Sequence, residues 1–125
     1  MSLSLAHADL PQPLGHYAPA VVHAGLVHVS GTLPLPAAPT DAFAVQMTQL
    51  LVNCDAVLRH AGSSRSQVLS LTLYLTDLDR WDEADAMLAA FFGAHRPART
   101  VIGVAQIRKQ FAVQASLVAA QGAQA

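Results

Sequence analysis

The sequence predicts an α+β fold in which one sheet carries two helices on a single face. Three observations lead there. Two segments, about residues 41–61 and 79–94, place apolar side chains at helical spacing. Five others, about 21–24, 26–31, 68–75, 98–105 and 111–119, are β-branched, apolar or alternating. Their order is β-β-α-β-α-β-β, with room for a short extra strand near the N-terminus. The 125 residues fit one domain, residues 1–125, large enough to bury a core without disulfides or metal.

Val21–Ala24 and Leu26–Gly31 read as a hairpin turning at Ala24-Gly25. The Pro-rich stretch 33–39 reads as a loop, since proline neither donates to a ladder nor continues a helix. In the first helix Phe43, Met47, Leu50, Cys54, Val57 and Ala61 share one face, with Gln46, Gln49, Asn53 and His60 opposite. Thr40 is its expected N-cap and Gly62 its left-handed stop. In strand 68–75, Leu69, Leu71, Leu73 and Leu75 should face the helices. The second helix carries a stripe of Trp81, Ala84, Leu88, Phe91 and Phe92. Its early acids Asp79, Asp82, Glu83 and Asp85 favour the macrodipole, and Pro97 ends it. The tail from Gln121 is expected to fray.

Hydrophobic residues make up 53% of the chain and charged residues 12%, an apolar balance that a large subunit interface would explain. The second sheet face points the same way, because the chain has no element left to cover it. Net charge is −1 and no basic run exists, which argues against a nucleic-acid partner. Cys54 has no second cysteine to pair with and suits a reducing cytoplasm. No signal-peptide pattern is visible, and no stretch approaches the ~20 apolar residues of a membrane span. The expected location is therefore cytoplasmic.

Nucleotide-loop, zinc-protease and Cys-x-x-Cys motifs are missing from the sequence, and the six histidines lack ligand spacing, so neither a metal nor a cofactor is expected. His23 and His28 flank the hairpin turn, but its register would pair His23 with Leu26 and His28 with Val21. The informative residue is Arg99, which opens the otherwise apolar run Thr100-Val101-Ile102-Gly103-Val104-Ala105. A guanidinium keeps its charge, so it needs an internal acid as partner or a place at the solvent rim.

Pro97-Ala98-Arg99-Thr100 resembles the Pro-Ala-Arg-Ser/Thr signature of the RidA/YjgF family, whose older labels are translation inhibitor and L-PSP endoribonuclease. Gly15-His16-Tyr17-Ala18-Pro19-Ala20-Val21 is similar to the family's opening, and Val29-Ser30-Gly31 to its Ser-Gly-Gln strand end. Leu51-Val52-Asn53, Leu58 and Ala61-Gly62 resemble its first helix, and Leu73-Tyr74-Leu75-Thr76-Asp77 its Val-Tyr-Leu-x-Asp strand.

The resemblance implies a chorismate-mutase-like fold with a mixed sheet. It also implies a homotrimer with a central barrel, and three clefts between subunits that take a small carboxylate-bearing metabolite. Arg99 would bind the carboxylate of a 2-imino acid or its enamine tautomer, and Tyr17 would close the pocket. Backbone groups at Gly31 and Val101 would hold the reacting nitrogen or the water. The implied reaction is hydrolysis to a 2-keto acid and ammonia. One departure bears on the chemistry. The place of the family's water-positioning glutamate is Ser116, a hydroxyl that can hold water but is a poor base. Gly103 and Val101 also stand where the family commonly has glutamate and cysteine. The alternative to catalysis is a trimer that only binds the carboxylate. RNA cleavage is the third reading, and the charge balance opposes it.

Overall fold

The structure, a computed structural model, describes residues 2–122. Six strands form one mixed sheet: β1 (Ser2–Ser4), β2 (Ala20–His23), β3 (Leu26–Thr32), β4 (Val68–Leu75), β5 (Ala98–Gly103) and β6 (Val113–Ala120). Their order in the sheet is β1-β2-β3-β6-β4-β5. All neighbours are antiparallel except β4 and β5, which run parallel. The helices are α1 (Phe43–His60) and α2 (Trp81–Phe92).

The β2–β3 hairpin has the expected register, His23 opposite Leu26 and Val21 opposite His28. Ala24 at φ 51° and Gly25 at φ 76° both take positive φ, the two-residue geometry that suits the twist of paired strands.

Burial alternates along β6: Val113, Ala115, Leu117 and Ala119 lie under the helices, while Gln114, Ser116, Val118 and Ala120 are half-buried on the far face. Both helices pack on the first face against Leu71, Leu73, Val27 and Val29. That places the main hydrophobic core on one side of the sheet; on the other, Tyr74 packs against a smaller buried cluster of Leu33, Ile107 and Phe111, and the rest of that side is open. Cys54 is part of the main core, and burial pushes its thiol pKa up to about 12, with Asp55 adding to the rise and a hydrogen bond to Thr32 opposing it.

Helix α1 departs from the sequence reading in two ways. Thr40 is not its cap; the N-cap is Ala42, whose side chain offers no oxygen. Nearby, Gln46 ties the helix to its surroundings: its amide donates to the carbonyls of Pro39 and Asp41 and accepts from the Ala112 N–H. Gln46 and Asn53 are therefore buried rather than solvated. Asn53 donates to the carbonyls of Leu33 and Leu35 at 2.9 and 2.7 Å, and accepts from Gln49. The physical reason is the proline-rich loop, which supplies few N–H groups and so leaves carbonyls for side-chain amides to satisfy. The helix ends as expected, with Gly62 at φ 77° and the Ser63 N–H bonded to the Leu58 carbonyl.

Strand β4 also differs. Val68 pairs with Ala119 and Ser70 with Val118, so Leu69 is the extra residue of a bulge. It turns out to solvent at 49% exposure, and Val68 takes its place in the core. Trp81, expected in the α2 stripe, is 40% exposed. The tail is held further than expected: Gln121 N–H bonds to the Gly25 carbonyl and Gly122 N–H to that of Gly62. Residues 123–125 lie outside the described part.

Candidate functional site

Strand β5 is a sheet edge, and Arg99 pairs with Leu71 of β4. Leu71 is buried beneath the helices, so Arg99 points to the helix side. There its Nη1 donates to Asp85 of α2, and its guanidinium lies 5.8 Å from the Trp81 ring. The acid read as a helix-stabilising charge is thus the partner of Arg99. Fourteen residues and a helix-to-strand turn separate the two, so no local spacing announces the pair.

Around Arg99 runs a groove of about 440 Å³ whose walls include Leu71, Leu88 and Phe92, with His95 and Arg96 at its rim. That volume falls in the range of small-molecule sites. His95 is fixed by its Nε2–H, which donates to the Val68 carbonyl at 2.7 Å.

The other expected residues lie elsewhere. Ser116 aligns with Thr72 on β4, which aligns with Thr100 on β5. These three hydroxyls make a row across the open sheet face. Gly31 is close by: β3 bulges between Val29 and Thr32, so Ser30 and Gly31 together oppose Ser116. A Cβ on Gly31 would stand 2.7 Å from the Gln114 amide, so glycine leaves room for that side chain. Ser30 ties the bulge to the N-terminal segment by donating to the Ala18 carbonyl at 2.6 Å. Tyr17 and Gly31 line a shared crevice, but it holds only about 30 Å³, room for roughly one water. Tyr17 is 46% exposed, and its hydroxyl accepts from the Leu14 N–H.

One chain therefore does not bring the whole set together. Arg99 and Ser116 sit on opposite faces, with β4 between their strands and roughly 10 Å of sheet separating them. Val101 shares the helix face with Arg99 and packs against the core. The structure gathers a further cluster that sequence spacing hides: donor atoms of His7, Asp9 and His60 lie within 4.8 Å of one another at the surface. The His7 lone pair at Nδ1 is already used by the Asp9 N–H, and the His7 and His60 rings lie 4.3 Å apart, tilted by 34°. None of the three borders the Arg99 groove.

The model of the family described as endoribonuclease L-PSP matches residues 7–121. The chain belongs to this family, the RidA/YjgF family. A RutC family protein of Aquifex aeolicus is 30% identical to this RidA/YjgF chain over 114 residues, which is 87% of this chain and 91% of the relative. The 2-iminobutanoate/2-iminopropanoate deaminase of Salmonella typhimurium is 27% identical over 125 residues, 95% and 98% of the two chains. Among solved structures, the YjgF gene product of E. coli is 26% identical with a TM-score of 0.86, covering 94% of this chain and 98% of its own. The six-stranded mixed sheet with two helices is therefore the YjgF-like fold. Among the described residues no helix is long and apolar enough to cross a membrane.

Proposed function

We propose that this RidA/YjgF chain hydrolyses small 2-imino acids, or their enamine tautomers, to 2-keto acids and ammonia in the cytoplasm. The observation that carries the reading is Arg99, a guanidinium that already holds a carboxylate beside a groove of ligand size. A planar fork of N–H donors matches a carboxylate, and it fixes the substrate while the carbon–nitrogen bond is attacked. Water adds to the imine carbon, the nitrogen takes up protons, and ammonia leaves as the keto group forms. Such imines already hydrolyse in water, so orientation alone gives useful acceleration.

The site is proposed to be shared between copies of a homotrimer. Support comes from the distribution of the residues: Arg99 and Val101 stand at the β5 edge, whereas Tyr17, Gly31 and Ser116 lie on the far side of β4. A second chain that laid its Tyr17, Gly31 and Ser116 against the β5 edge would bring the two halves together. In that cleft Ser116 would hold the water, and backbone groups at Gly31 and Val101 the nitrogen.

A second reading is favoured by Ser116 itself, which supplies no carboxylate to activate water. In that reading the chain binds a small carboxylate and does not turn it over. A coupled assay with 2-iminobutanoate and 2-iminopropanoate separates the two, with Arg99→Ala as the control. Hydrolysis above the buffer rate that disappears in Arg99→Ala supports the enzyme; saturable 2-oxobutanoate binding with no hydrolysis supports the binder. RNA cleavage is disfavoured by a net charge of −1.

A further inference from the structure

We infer that Asp85 sets the charge of the Arg99 groove, and so restricts it to monocarboxylates with a short apolar tail. The inference rests on Arg99 being the carboxylate anchor proposed above. The charged groups lining the groove are Arg96, Arg99 and Asp85, a formal sum of +1 with His95 neutral. One monoanion balances that sum, while a dianion leaves a negative charge against walls made of Leu71, Leu88, Ala89 and Phe92.

Asp85 has no evident structural need to be charged. Its side chain is 56% exposed and that of Arg99 32%, so their ion pair contributes little to folding. The first turn of α2 already holds Asp82 and Glu83 for the macrodipole. What Asp85 does is occupy one terminal nitrogen of Arg99, leaving the rest of the fork to a ligand. An incoming carboxylate thus meets a guanidinium that is oriented but also shadowed by a resident negative charge. A second carboxylate on the ligand meets the same repulsion again, whereas an apolar tail meets Leu88 and Phe92.

The test is calorimetric titration of wild type, Asp85→Asn, Asp82→Asn and Arg99→Ala with 2-oxobutanoate and with 2-oxoglutarate. Asparagine keeps the acceptor oxygen toward Arg99 and removes only the charge. Asp82→Asn removes the same charge from the same helix without touching Arg99. Asp85→Asn should bind 2-oxobutanoate about threefold tighter and 2-oxoglutarate about tenfold tighter, both gains shrinking as salt is raised. Asp82→Asn should leave the ratio of the two affinities unchanged. An unchanged ratio in Asp85→Asn, or the same change in both variants, overturns the inference while leaving Arg99 as the anchor. Undiminished binding in Arg99→Ala overturns the anchor itself, and the inference falls with it. Asp85→Ser, which also lacks the charge, repeats the measurement should the asparagine variant fold poorly.

Discussion

In the proposed reaction, Ser116 is the single side chain on which the chemistry turns. It stands between Gln114 and Val118 on the open face, in a row with Thr72 and Thr100 and opposite the Ser30–Gly31 bulge. A carboxylate placed there would have the reach and basicity that a hydroxyl lacks. Ser116→Glu should therefore raise imine hydrolysis, by about tenfold or more on the scale of general-base contributions. Ser116→Ala should lower whatever wild-type rate exists. Strong wild-type activity untouched by Ser116→Ala would place the water elsewhere. Arg99 and the acid that pairs with it were unequally legible. Arg99 stood out because a fixed charge interrupted an apolar run beside a recognisable signature. Its partner Asp85 did not, because an acid in an early helical turn has a sufficient local explanation, and only the fold shows that the helix passes over the β5 edge.

At the scale of elements, the misread positions share a cause. Binary patterning assigned Gln46 and Asn53 to the solvent face because they are polar, yet both are buried to serve the proline-rich loop. Patterning sees a side chain's polarity and not the unpaired carbonyls of a neighbouring segment. Leu69 failed for a different reason, since a one-residue bulge shifts the inward positions of β4 without leaving a mark on the alternation. The Asn53 bonds to Leu33 and Leu35 cross-link the start of that loop to α1. Asn53→Ala strands two carbonyls and should cost about 2–4 kcal/mol, read from the urea midpoint at constant slope. A loss below about 0.5 kcal/mol would mean that water replaces the amide.

For the whole molecule, the asymmetry of the sheet is what the proposed assembly rests on. One face is closed by both helices; the other presents Val118, Ile102, Thr72 and Tyr74 half in solvent, and Ile102 is 40% exposed. Element order already implied this imbalance, since two helices on one face leave nothing for the second. Light scattering at micromolar concentration should report three protomers, and Val118→Glu should yield a smaller species because it would set like charges together across the proposed interface. A wild-type monomer would leave the open face, and the proposed shared cleft, without a partner.

The buried thiol turns the whole fold into its own clock. Cys54 is 2% exposed, so an alkylating reagent reaches it only when the core opens. Labelling in native buffer should then run about a thousandfold or more slower than in urea, and its rate should follow the opening equilibrium. Alkali drives the same clock. The thiol ionises near pH 9 in the unfolded chain and near 12 in the folded one, so the folded state holds the proton longer. Its contribution is complete below pH 9 and is lost between 9 and 12. Stability should fall across that window by about 1.4 kcal/mol per pH unit more in wild type than in Cys54→Ala. Equal alkaline slopes in the two proteins, or labelling complete on mixing, would show that the core admits hydroxide and reagent without unfolding.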